Sequence, residues 1–312
     1  MIISASRRTD IPAFYSKWFI NRIREGFFFQ VNPYNQQQKG ISLAPEAVEA
    51  FVFWSKYPRP LLKYLPELDH RGYNYYFQFT LNNYPELLES RLPSLEARIS
   101  AFKELSQSLG KERVIWRYDP IIISSLTPPA YHLQQFSQLA AELKDSSSRV
   151  VISFLDFYGK TKSRLKKLEQ ENGISFRDLV KAEAELLSFC RSLKEIAEAN
   201  DFEIQSCGEM NNDSARIIPP GKCIDDQLLN QLFDLKLPSL KDPGQRQSCL
   251  CIKAAEMGVY NSCQFDCVYC YASRGPDKIR ERIDQHNPES PVLIGEAQQE
   301  FKQQLSLFNK KF

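Results

Sequence analysis

At 312 residues the chain is long enough for two ordinary domains or a single (β/α) barrel, and a core of that size folds without disulfides or metals. Its 43% hydrophobic and 12% aromatic content excludes intrinsic disorder. A net charge of +2, from 40 basic and 38 acidic residues, is too small to mark a nucleic-acid or membrane-surface protein by itself.

Apolar and aromatic runs at 2–6, 51–54, 74–80, 113–118, 149–155, 202–206 and 257–261 predict strands, each ended by polar residues, Pro or Gly. Between them, 86–108, 130–143, 176–199 and 294–308 have helical periodicity. Strand–helix alternation implies a parallel sheet with helices outside. The expected fold is therefore an α/β barrel or partial barrel, with a doubly wound open sheet as the alternative. Two segments break this rhythm. Residues 26–31 and 39–43 flank Asn32-Pro33-Tyr34-Asn35, which predicts an inserted β-hairpin. Segment 207–256 has little periodicity beyond 225–234, and it contains Pro219-Pro220-Gly221, Asp242-Pro243-Gly244 and four cysteines. A long irregular connection is usually functional or disordered, and bound metal can order one.

No run approaches about 18 apolar residues, so no spanning helix is expected. The apolar start at Ile2 and Ile3 meets Arg7 and Arg8 too soon for a signal peptide, and a cytoplasmic location is expected. In that compartment eight cysteines argue for metal binding or catalysis rather than disulfides. The sharpest signal is Cys263-Gln264-Phe265-Asp266-Cys267-Val268-Tyr269-Cys270, a C-x3-C-x2-C spacing. Thiolates this close suit zinc or iron–sulfur chemistry, and three ligands leave one metal position open.

This loop, with an aromatic before its last cysteine, resembles the cluster loop of the radical S-adenosylmethionine (SAM) enzymes. The string from Gly258 to Ala272 resembles the version in spore-photoproduct-lyase-like proteins. It is closer still to an uncharacterised cysteine-rich family that carries the loop near its C-terminus. Ser6-Arg7-Arg8-Thr9-Asp10, Phe53-Trp54-Ser55-Lys56, Trp116-Arg117-Tyr118-Asp119-Pro120, Gly221-Lys222-Cys223-Ile224-Asp225 and Cys249-Leu250-Cys251 match that family's other marks.

The resemblance implies that Cys263, Cys267 and Cys270 hold three irons of a 4Fe–4S cluster whose fourth iron binds S-adenosylmethionine. One electron then cleaves SAM to methionine and a 5′-deoxyadenosyl radical, which abstracts hydrogen from substrate. Tyr269 takes the position whose backbone approaches the adenine, and an electron donor such as flavodoxin or ferredoxin is implied. Radical SAM barrels begin with the strand bearing this loop, whereas here it comes last, at 257–261. A circular permutation is expected, with the cluster at the C-terminal mouth and helix 294–308 after the cluster strand. Residues 1–206 and 256–312 would form the barrel, and 207–255 a cysteine-rich segment.

Cys207, Cys223, Cys249 and Cys251 are enough to close a second 4Fe–4S cluster, which suits electron transfer; structural zinc or free thiols fit the same residues. Cys190, on the apolar face of Leu186, Leu187, Phe189 and Leu193, is expected to be a core thiol. Polar residues beyond strand ends complete the candidate site. The Gly-Gly-Glu with which radical SAM enzymes bind the SAM amino group is absent after 2–6. Asp10 or Thr9 would replace it, unless this segment caps the helix at Pro12. Arg117 or Arg8 would pair with the SAM carboxylate. Arg117 and Asp119 are the expected catalytic pair, with Arg8, Thr9, Asp10, Ser153 and Tyr269 as cofactor contacts. Asn32, Lys56, Thr80, Asn82 and Asp156 hold comparable places, and rim salt bridges are the plain alternative throughout. The basic run 160–167 reads as a solvated helix face or the wall of a polyanion site.

The expected function is a radical SAM enzyme whose substrate is a nucleic acid, a peptide or a small metabolite, with no membrane partner. An iron–sulfur electron-transfer or sensing protein, or a zinc-stapled nucleic-acid-binding module, is the alternative.

Overall fold

The computed structural model describes residues 1–157, 159–208 and 212–298. Its strands are β1 (Ile2–Ala5), β2 (Phe27–Val31), β3 (Gln38–Ser42), β4 (Ala50–Ser55), β5 (Tyr75–Thr80), β6 (Val114–Ile121), β7 (Ile123–Ser124), β8 (Arg149–Phe154), β9 (Phe176–Arg177), β10 (Glu203–Ser206) and β11 (Ala255–Glu256). Seven of them form one sheet in the order β10-β8-β6-β5-β4-β1-β11. Every pairing in that sheet is parallel. The expected hairpin is present as the antiparallel pair β2–β3.

The result is a mixed α/β fold. A closed barrel is not seen among the described residues, since β10 and β11 stand at opposite ends of the sheet. Nor does the order reverse as a doubly wound sheet does, because from β1 to β10 each strand of the sheet lies beside the sheet strand that follows it in the chain. Alternation divides the sheet into two faces. Ile3, Phe51, Phe53, Tyr75, Phe77, Trp116 and Ile152 face the helices, including Leu105, Phe136 and Leu193. Ile2, Ala50, Val52, Tyr76, Ile115 and Val151 face the other way and pack on Cys223, Ile224, Leu228, Leu229, Cys251 and Ile252. The cysteine-rich segment therefore covers an entire apolar face of the sheet. Removing it would expose that face to water.

Several expected elements change at their ends, each for a local reason. The strand expected at 257–261 falls at β11 instead. It does pair parallel with β1, Ile3 against Ala255 and Ser4 against Glu256. Gly258 then passes so close to Ser6 that a Cβ would lie 1.9 Å from the Ser6 hydroxyl. Asn261 adopts φ 62°, which ends any extended run. The expected helix 86–108 begins at Leu95, because Pro93 precedes it and Ser94 caps it by accepting from the Ala97 N–H. The expected helix 176–199 opens as β9 on β7, passes through a 3-10 turn at Leu179–Lys181 and becomes α-helical at Glu183. A helix over Pro276–Ile283, with Gly275 before it and Pro at its start, was not expected. Residues 294–298 are not helical, and the rest of the expected helix 294–308 lies outside the described residues. Among the described residues no helix is long and apolar enough to cross a membrane.

Candidate metal centre

The C-x3-C-x2-C loop sits beyond the C-terminal ends of the parallel strands. Phe265, Cys267 and Tyr269 pack on Tyr84, Leu88, Ile122, Leu155, Leu165 and Leu168, which follow β5, β6 and β8. The Val268 N–H donates to the Leu88 carbonyl at 3.1 Å, and Arg164 donates to the Cys267 carbonyl at 3.1 Å and to Asp266 at 2.8 Å. The segment after β1 clamps the start of the loop. The Thr9 and Ser262 hydroxyls both lie within hydrogen-bonding distance of the Val259 carbonyl, at 2.9 and 2.8 Å. Tyr15 donates to the Ser262 carbonyl at 2.6 Å, and the Arg8 guanidinium lies 4.6 Å from the centre of the Tyr260 ring.

Asp10 takes the capping role foreseen for it, accepting from the Ala13 N–H at 3.0 Å. It also accepts from the Ser55 hydroxyl and the Lys56 N–H, both at 2.7 Å. Burial pushes its pKa up to about 6 against these three donors. The residue that sequence reasoning missed is Glu89. It is buried, and Lys56 donates to it at 2.7 Å. The Tyr269 hydroxyl bonds the same oxygen. Burial and the neighbouring Glu89 keep Tyr269 protonated, so it is the donor. The second Glu89 oxygen has no hydrogen-bond partner, and Arg98 stands 4.0 Å away. Glu89 was hidden inside the over-long helix expected at 86–108; Pro93, which stops that helix, was the available signal. Burial works against the charge on Lys56, but Glu89 and Cys267 outweigh it.

The other four cysteines lie along the second face of the sheet and touch in series. The sulfurs of Cys207 and Cys223 are 3.1 Å apart. The Cys223 and Ile224 N–H groups donate to the Cys251 sulfur at 3.2 and 3.4 Å. The hydrogen bond from Cys251 lowers Cys249 to about 7. Arg117, one of the two arginines suggested for the SAM carboxylate, lies here. It donates to the Cys223 sulfur at 2.9 Å, to Gln78 at 3.3 Å and through Nε to Asp119 at 2.9 Å. Ser153 bonds the other Asp119 oxygen. Ser153 and Cys207 also border a cleft of about 180 Å³ whose polar wall includes Asp156, Asp178 and Arg246. Asn82 is bound to the Asp119 backbone at 3.0 and 3.1 Å, so it braces Asp119. Cys190 is a buried free thiol in the helix-side core, as expected.

Among the described residues no three His, Cys, Asp or Glu side chains already surround one metal-sized point. What fits a metal is the donor chemistry. All seven cysteines are free thiols, and burial pushes Cys263, Cys267 and Cys270 up, Cys267 to about 12. Protein groups nevertheless aim hydrogens at these sulfurs. The Asp10 N–H donates to Cys263, and the Ala272 and Ser273 N–H groups donate to Cys270. Donors on buried sulfur favour thiolate, and a bound cation supplies the charge that burial otherwise forbids. Both cysteine sets pass this test.

The family model described as "Domain of unknown function (DUF1848)" matches residues 2–272, a span that holds both cysteine sets and ends just past Cys270. No curated protein and no solved structure matches. Because the match takes in well over half of the sequence, the chain belongs to the DUF1848 family.

Proposed function

We propose that this protein is a radical SAM enzyme in which Cys263, Cys267 and Cys270 hold a 4Fe–4S cluster with one open iron. Cys207, Cys223, Cys249 and Cys251 hold a second, fully ligated cluster. The observation that carries the reading is the joint position of the C-x3-C-x2-C loop: it lies beyond the C-terminal ends of parallel strands and is carried by the connection after β11, the parallel neighbour of β1. On this reading the sheet is a partial barrel, circularly permuted so that its cluster strand comes last.

Such a cluster, when bound, supplies the single electron that cleaves S-adenosylmethionine. The chain's own residues set the conditions for it. Thr9, Tyr15 and Arg164 fix the loop, while Tyr84, Leu88, Leu155 and Tyr269 keep its inner side away from water. Arg117 is committed to Asp119 and Cys223, so Arg8 becomes the stronger partner for the SAM carboxylate. Glu89, with one unpartnered oxygen beside Lys56, is a buried carboxylate that touches the loop through Tyr269. A flavodoxin- or ferredoxin-type donor would supply electrons, through the second cluster, to act on an unidentified substrate.

Anaerobic reconstitution tests the reading. About eight irons per chain, four for each cluster, and SAM-dependent release of 5′-deoxyadenosine are expected. Iron without SAM cleavage would leave an electron-transfer or sensing protein. Tightly bound zinc with no iron would make the cysteines structural and sink the proposal.

A further inference from the structure

Resting on the second-cluster assignment above, we infer that Arg117 sets the reduction potential of that centre through its hydrogen bond to the Cys223 sulfur. The Arg117 side chain is 4% exposed, and its guanidinium is shared between Asp119 on one side and Cys223 with Gln78 on the other. Nε and Nη2 both grip one oxygen of Asp119, while Nη1 lies 2.9 Å from the Cys223 sulfur. Cys223 is itself immobilised, because Tyr76 and Gln78 donate to its carbonyl at 2.5 and 2.9 Å. Asp119 is held by Ser153 and by Asn82. Neither end of the Arg117–Cys223 contact is free to drift. A four-thiolate 4Fe–4S centre gains negative charge when it accepts one electron from a low-potential reductant, with no bond made or broken. A buried cation donating to one ligand sulfur stabilises that reduced form and raises the potential.

The test uses the full chain with Cys263, Cys267 and Cys270 replaced by Ala, so that the second centre is the only cluster. Its potential is read by EPR during titration with dithionite. Arg117→Gln combined with Asp119→Asn removes the charged pair without stranding a buried carboxylate. With about four irons retained, this variant is expected to lower the reduction equilibrium constant at least tenfold, about 59 mV for one electron. Arg117→Lys, which keeps the charge, should recover part of the loss. An unchanged potential in an iron-loaded centre overturns the inference. So does loss of iron from both Arg117 variants, which would make the residue merely structural. Absence of iron from the parent chain instead overturns the second-cluster assignment itself, a failure distinguishable from the other two.

Discussion

The two cysteine sets are brought together by opposite routes. Cys263, Cys267 and Cys270 lie within eight residues of chain, and their neighbours arrive from the ends of β5, β6 and β8. Cys207, Cys223, Cys249 and Cys251 are spread over much of the irregular segment, and they meet only because that segment packs along the sheet. The first set is a local device mounted on the fold. The second is part of the fold, since Cys223 and Cys251 belong to the core that covers Ile2, Val52, Tyr76 and Val151. Losing the first should therefore cost chemistry and little structure, whereas losing the second should cost both.

The largest effects follow from that contrast. Replacing Cys263, Cys267 and Cys270 by Ala should remove about four irons per chain and abolish SAM cleavage, with a thermal midpoint close to that of the metal-free parent. Replacing Cys207, Cys223, Cys249 and Cys251 by Ala should also remove about four irons. It should in addition lower the midpoint of the reconstituted protein, because bound metal otherwise contributes to folding the covering segment. Iron analysis and melting curves on both variants break the comparison if the two sets prove equally dispensable to stability.

The same contrast explains what the sequence disclosed. Strand positions were legible because β4, β5, β6 and β8 are dense in Phe, Tyr, Trp, Val and Ile, and the hairpin was legible from Asn32-Pro33-Tyr34-Asn35. The C-x3-C-x2-C loop was legible because its ligands are close in sequence. Arg117 was picked out as a functional residue, but its contact with Cys223 was not foreseen. Its partner Cys223 lies 106 residues away, and only the return of the irregular segment onto β6 brings them together. Glu89 was lost for a different reason: helical periodicity ran backwards through Pro93 and swallowed the turn that holds it. The extent of the sheet also depends on pairing across the chain, which periodicity does not encode. In each case local signals survived and long-range placement did not.

A smaller effect probes how the loop is mounted. Gly258 follows β11, and a Cβ there would lie 1.9 Å from the Ser6 hydroxyl and 2.7 Å from its Cβ. Gly258→Ala should cost about 1–3 kcal/mol as overpacking against Ser6. It should also weaken iron retention at Cys263, Cys267 and Cys270 while leaving the second set loaded. Pairing it with Ser6→Gly removes the clashing side chain and should restore most of the loss. Equal iron loss from both sites would show that the two sets are mechanically coupled.

The smallest effect concerns acid, and it acts beneath the loop. His132 is fully buried; its Nε2 must donate to the Ile122 carbonyl at 2.9 Å, which leaves Nδ1 to accept from the Tyr118 hydroxyl at 2.9 Å. Its ring lies edge-on to Tyr84, 5.9 Å between centroids, and Tyr84 in turn meets Tyr269 of the loop at the same spacing. Burial depresses the His132 pKa to about 4, below the ordinary value near 6.5 that the unfolded chain would show. The neutral ring's contribution to stability is therefore complete above about pH 6.5 and is lost as pH falls toward 4, where the unfolded state binds the extra proton. Between pH 7 and pH 5 this group alone should lower stability by about 2 kcal/mol. His132→Gln should lose that part of the dependence, measured as the difference in denaturant midpoints between the two pH values. If the parent and His132→Gln respond identically to acid, His132 is not the group that couples pH to the footing of the loop.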